Sequence, residues 1–141
     1  MDNEDHIDGV LTFEEVTENI RVAVQSYFLT EHSKPENNEY FWAYRVKVIN
    51  ESDETVQLLN RHWIITDGQG VTKEVQGPGV IGEQPYLEPS QEFIYTSGTP
   101  LETPTGFMRG SYQMRRGDRD LFDVTVPTFS LDSPHCEMNI N

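Results

Sequence analysis

Cysteine, basic side chains, long apolar runs and helical periodicity are all scarce in this chain, and each shortage removes a class of protein. A single cysteine, Cys136, stands among 141 residues, so there is no intrachain disulfide framework and a reducing, cytoplasmic setting is expected. Nowhere do about 18 apolar residues run together, the length a membrane-spanning helix needs. The opening MDNEDHIDGV is acidic where a secretory signal is basic and then apolar, so export is not expected either. Ten Lys and Arg face 24 Asp and Glu, for a net charge of −14. A surface of that sign repels phosphate backbones and anionic lipid, which disfavours general nucleic-acid or membrane binding and leaves a basic protein partner open. Seven of the acids and none of the basic residues lie in residues 1 to 18. Residues 1–11 read as a flexible acidic tail, 12–134 as one β domain and 135–141 as a C-terminal tail.

No window of about 11 residues places apolar side chains at i, i+3, i+4 and i+7 free of glycine or proline, so little helix is expected beyond one turn after Phe13. Alternation takes its place. In NIRVAVQSYFLT, Ile20, Val22 and Val24 share one face; after the break HSKPENNE, the run EYFWAYRVKVIN puts Tyr40, Trp42, Tyr44, Val46 and Val48 on one face. NESDE reads as a turn and VQLLNRHWIITD as a long strand, a pair expected to form an antiparallel hairpin. QEFIYTSG, GFMRGSYQM and LFDVTVPTFSL add three strands and VTKEV a short one, with RRGDRD as the hairpin turn before LFDVTVPTFSL. Short strands between turn signals predict an all-β fold, an antiparallel immunoglobulin/fibronectin type III-like β-sandwich of seven to eight strands, with a small barrel as the second architecture.

The stretch VQGPGVIGEQP, residues 75 to 85, spaces Gly77, Gly79 and Gly82 as G-x-G-x-x-G. In dinucleotide-binding folds that spacing delivers a pyrophosphate to a helix N-terminus. Here Pro85 and Pro89 follow so closely that no such helix fits. The glycines are expected to supply positive φ and close backbone approach, within irregular backbone from Gly77 to Pro89 that joins two β layers.

QLLNRHWIITDGQG, VQGPGVIGEQPYLEP, FIYTSGTPLETPTGFMRGSY and VPTFSL, in this order, resemble the bacterial ApaG family over about residues 12 to 134. RHW, GxGVxGxxP, YTSG, TPxGxMxGxY and PxFxL carry the likeness, and Ser90 departs from a glycine usual in the family. The resemblance implies a fibronectin type III-like sandwich with no assigned reaction and a name linked to cobalt resistance and magnesium efflux. Eukaryotic F-box relatives imply a protein-interaction role.

His6, His32, His62 and His135 are scattered, with no H-x-H, H-x3-H or C-x2-C spacing, so no metal site is expected, and no cofactor. Without a G-x-S-x-G elbow or an activated thiol, no enzyme is expected, and Ser97 in YTSG reads as a turn residue. Tyrosine is a favoured interface anchor, and Tyr86 between two prolines is the best exposed candidate. The chain is therefore expected to be a noncatalytic interaction domain whose contact surface is the glycine loop: Gly77, Gly79, Gly82, Glu83 and Tyr86, with Arg61 and His62 nearby. The alternative is a small-ligand binder for a nucleotide pyrophosphate or a divalent cation at the same loop. Open sandwich edges, guarded only in part by Lys47, Lys73 and Glu74, also make a homodimer a reasonable expectation.

Overall fold

The computed structural model describes residues 11–135; residues 1–10 and 136–141 lie outside, and with them most of the acidic tail, His6 and Cys136. Four strands, β1 (Phe13–Thr17), β2 (Ile20–Phe28), β3 (Tyr40–Asn50) and β7 (Glu92–Leu101), form one antiparallel sheet in the order β1-β2-β3-β7. The second sheet orders β5 (Thr72–Pro78), β4 (Val56–Asp67), β8 (Gly106–Arg116) and β9 (Asp120–Leu131) as β5-β4-β8-β9, with the two-residue β6 (Tyr86–Leu87) paired to the start of β4. The sheets stack as a sandwich. β3 buries every second residue from Tyr40 to Asn50, so the period of the sequence becomes the inner face of a layer. Across from it, Leu58, Met108, Tyr112, Met114, Val124 and Phe129 complete the core. Each such side chain contributes about 1.5–3 kcal/mol by leaving water. Among the described residues the helical pieces are short 3-10 turns, Thr30–His32, Pro35–Asn37 and a stretch at 134–135, and no helix is long and apolar enough to cross a membrane.

Among the described residues the sandwich has nine strands rather than seven or eight. FEEVT after Phe13 is β1, not a helical turn: Glu18 and Asn19, at φ 48° and 65°, close a two-residue hairpin that sets Thr17 opposite Ile20. The other addition is β6. The hairpin expected of β3 and β4 is also corrected, since they lie in different sheets. β3 already has β2 and β7 on its two sides, so it has no free edge for β4. Asn50, fully buried, makes the corner: its Nδ2 donates to Glu54 O and Leu87 O, and its Oδ1 accepts from the amide and hydroxyl of Ser52. Turn residues signal a reversal, but they do not say whether the chain returns in its own sheet. The RRGDRD turn does return in its own sheet, with Gly117 at φ 60° between β8 and β9. Lys47 is not an edge residue; it sits on β3, inside its sheet, with Nζ 3.7 Å from Glu92.

Candidate functional site

Alternation along β4 decides the site. Arg61 pairs with Tyr112 and with Gly77, and it lies in phase with the buried Trp63, so this cation points between the sheets. His62, one residue on, faces the other way, where its Nε2 lies 2.8 Å from Glu74. Arg61 Nη1 donates to Pro78 O and to Gly79 O, both at 3.0 Å. The guanidinium thereby ties β4 to the end of β5 and to the glycine turn. Among the described residues no carboxylate lies within ion-pair range of it.

The three glycines do three different things. Gly77 and Pro78 belong to β5 rather than to irregular backbone, and a Cβ on Gly77 would lie 3.1 Å from Arg61 Nη1. The missing side chain is the space the guanidinium occupies. Gly79, at φ 63°, would place a Cβ 2.2 Å from Glu83 O, so close backbone approach demands glycine there. Gly82, at φ 80°, faces open space and is needed for conformation alone. Val80 and Glu83 exchange both backbone hydrogen bonds at 2.9 Å, closing a turn whose central residues, Ile81 and Gly82, both have positive φ. No helix follows Gly82; the chain runs through Pro85 into β6 and then crosses to β7 in the other sheet.

Ile81 is the anomaly of this turn. A β-branched residue at φ 43° carries strain of order 1–3 kcal/mol, yet the side chain is 55% exposed. Its neighbour Val80 is buried and anchors the turn to the core. Tyr86 on β6 is 67% exposed, in keeping with the sequence expectation for it.

Beneath the turn, Tyr44, Arg61, Trp63, Val80, Ile81, Gly82, Tyr95 and Ser97 line a cleft of about 220 Å³ between the two sheets. Ser97 is thus not a turn residue but an inward-leaning member of β7. The hydroxyls of Tyr95 and Tyr112 are hydrogen-bonded to each other. Burial pushes the Tyr95 phenol up, against the opposing pull of that hydrogen bond. Burial also drives Tyr112 well above the usual range, reinforced by Tyr95, and raises Tyr44 against a hydrogen bond from Ser97 and the charge of Arg61. All three phenols are protonated at neutral pH. The cleft therefore offers one cation and a row of hydroxyls against aromatic and aliphatic walls.

On the outer side of the second sheet, Asn60, His62, Gln76, Ser111, Gln113 and Asp123 border an open depression of about 560 Å³, and Arg61, Gly77 and Pro78 reach its rim. Asn60 Nδ2 donates to Gln113 Oε1 at 2.7 Å there. Alternation along β4 aims the side chains of Arg61 and His62 to opposite sides of the strand, yet both border this depression together with Gly77. Sequence reading missed Tyr44, Trp63, Tyr95, Ser97 and Ile81 as cleft residues. The usable signal was phase: a charged residue two before an inward Trp63 must itself enter the interior. Among the described residues no three His, Cys, Asp or Glu side chains are grouped to hold a metal ion.

The ApaG domain model matches residues 30–116. A Protein ApaG from Rhodospirillum centenum is 55% identical over 123 residues, which covers 87% of this chain and 95% of the relative. A Protein ApaG from Paramagnetospirillum magneticum is 50% identical over 129 residues, covering 92% and 99% respectively. A crystal structure from Bordetella pertussis, described as an ApaA protein, superposes with a TM-score of 0.80 at 39% identity, covering 88% of this chain and 98% of that one. The sandwich, the glycine turn on its second sheet and these relatives agree: the chain belongs to the ApaG family.

Proposed function

We propose that this chain is a noncatalytic protein-interaction domain of the cytoplasm, with the glycine turn and Tyr86 as its contact surface. The observation that carries the reading is Ile81: an apolar, β-branched side chain held at positive φ and displayed to solvent on a turn pinned by Arg61. Strain retained at an exposed apolar residue marks a surface kept for contact rather than for folding. Tyr86 adds a second large anchor on the neighbouring β6. Any contribution to cobalt resistance or magnesium efflux runs, on this reading, through the partner.

Ile81→Asn tests the reading with opposite signs for fold and function. Asparagine tolerates positive φ, so the variant should gain about 1 kcal/mol of stability. Partner recovery by the tagged full-length chain from native cytoplasm should fall, as it should for Tyr86→Ala. Equal recovery by wild type and both variants would sink the reading. Calorimetry of the full-length chain with ATP, cobalt and magnesium addresses the small-ligand alternative; heat of binding from any of them, lost in Gly82→Trp, would favour that alternative.

A further inference from the structure

Arg61 is only partly used by the fold. Its Nη1 serves two loop carbonyls, while Nε and Nη2 have no hydrogen-bond acceptor among the described residues, and the guanidinium lines the cleft beneath the turn. We propose that the cleft receives the C-terminal carboxylate of a partner polypeptide, laid as an added strand along the open edge of β7. This names the partner chemistry of the interaction surface and rests on the reading above.

Size, charge and edge all select that ligand. A space of about 220 Å³ is below the about 300–1,000 Å³ of drug-sized sites, which fits one carboxylate and a modest side chain rather than a nucleotide. Arg61 is the one basic residue among the cleft's lining side chains, and the chain as a whole carries −14, so a single negative charge is favoured over a polyphosphate. The guanidinium presents parallel donors suited to a planar carboxylate. Tyr44, Trp63, Val80 and Tyr95 give apolar walls for the terminal side chain, and the Ser97 hydroxyl stands beside them. Among the described residues β7 pairs with β3 alone, so the backbone groups on its other side are a ready ladder for the residues that precede the terminus.

The full-length ¹⁵N-labelled protein is titrated with an acetylated peptide of about five residues, alternating threonine and valine before a terminal leucine, as the free acid and as the C-terminal amide. The acid should bind at least about tenfold more tightly, the value of a charge-assisted hydrogen-bond pair. It should shift the Arg61 Nε–H and the amides of Ile81 and Ser97, and slow exchange along β7. Arg61→Lys should erase the difference between acid and amide. Since that change also loosens the loop, Ser97→Ile, which fills the cleft without touching the Pro78 or Gly79 carbonyls, should abolish binding with the fold intact. Equal affinity of acid and amide, equal affinity of N-acetyl-leucine, displacement by equimolar inorganic phosphate, or full binding by Ser97→Ile would each overturn the inference. Should Ile81→Asn lose its partner while the peptide acid shows no preference, this inference fails and the interaction reading stands.

Discussion

The two long sides of the sandwich are built differently. Where β1 and β9 meet, the edges are closed: Thr125 N–H donates to Thr17 Oγ1 at 3.1 Å, Ser26 Oγ donates to Ser130 O at 2.8 Å, and Arg116 reaches Glu18 at 2.9 Å. Behind that seam the core is mainly aliphatic, with Ile20, Val22, Val24, Val124, Val126 and Leu131, and its aromatic members Phe13, Phe122 and Phe129 carry no polar atom. Where β7 and β5 face each other, no hydrogen bond joins them among the described residues, and the interior there is Tyr44, Trp63, Tyr95, Tyr112 and Arg61. Aliphatic side chains contribute to stability by being sealed from water. Tyrosine and arginine bring their own hydrogen-bonding groups and so tolerate a wet mouth. The side that is sealed serves the fold, and the side that is left open carries the strained turn.

The difference breaks most heavily at the sealed side. Ile20→Ala leaves a cavity with no water to fill it and should cost about 2–5 kcal/mol. Val75→Ala on β5, whose residue is 40% exposed, should change stability by no more than about 0.5 kcal/mol. Urea midpoints for the pair give the contrast, and similar losses would contradict it. A middle-sized effect sits at the boundary between the halves. Tyr95→Phe strands the Tyr112 hydroxyl in a fully buried place and should cost about 1–3 kcal/mol, with part of that recovered in the double variant Tyr95→Phe/Tyr112→Phe. The phenols also set an alkaline limit. Their folded-state pKa lies above the unfolded value near 10, so the folded state holds its protons longer. Their contribution is complete below about pH 10 and falls as pH rises beyond it, and the double variant should show a shallower alkaline decline.

Much of this was legible in the sequence, and the limits are physical. Period-2 alternation identified the inner residues of β3 because a strand side chain has only two directions to choose from. It did not say which strands are neighbours, since NESDE is compatible with a hairpin and with the inter-sheet corner that Asn50 makes. β1 was hidden because Glu18 is an unusual occupant of positive φ, and FEEVT offers little apolar contrast. At the candidate site the glycine spacing was visible, but its meaning lay in contacts: Gly77 makes room for Arg61, and Gly79 for Glu83 O. The aromatic mouth was invisible because Tyr44, Trp63 and Tyr95 come from strands far apart in the chain and read individually as core.

The smallest effect is the most specific to the seam. Thr17→Val keeps the shape of the side chain and removes the acceptor that satisfies the Thr125 amide. The expected cost is about 0.5–1.5 kcal/mol, the net worth of one hydrogen bond. Its location matters more than its size. β1 is five residues long and among the described residues pairs with β2 alone, so the lost bond should appear as local opening rather than global unfolding. Faster hydrogen exchange is expected at Thr125 and along β1, with β7 and the glycine turn unchanged. If exchange at Ser97 or Ile81 quickened by the same factor, the two sides would be one cooperative unit. The division into a sealed side and an open side would then have no energetic content.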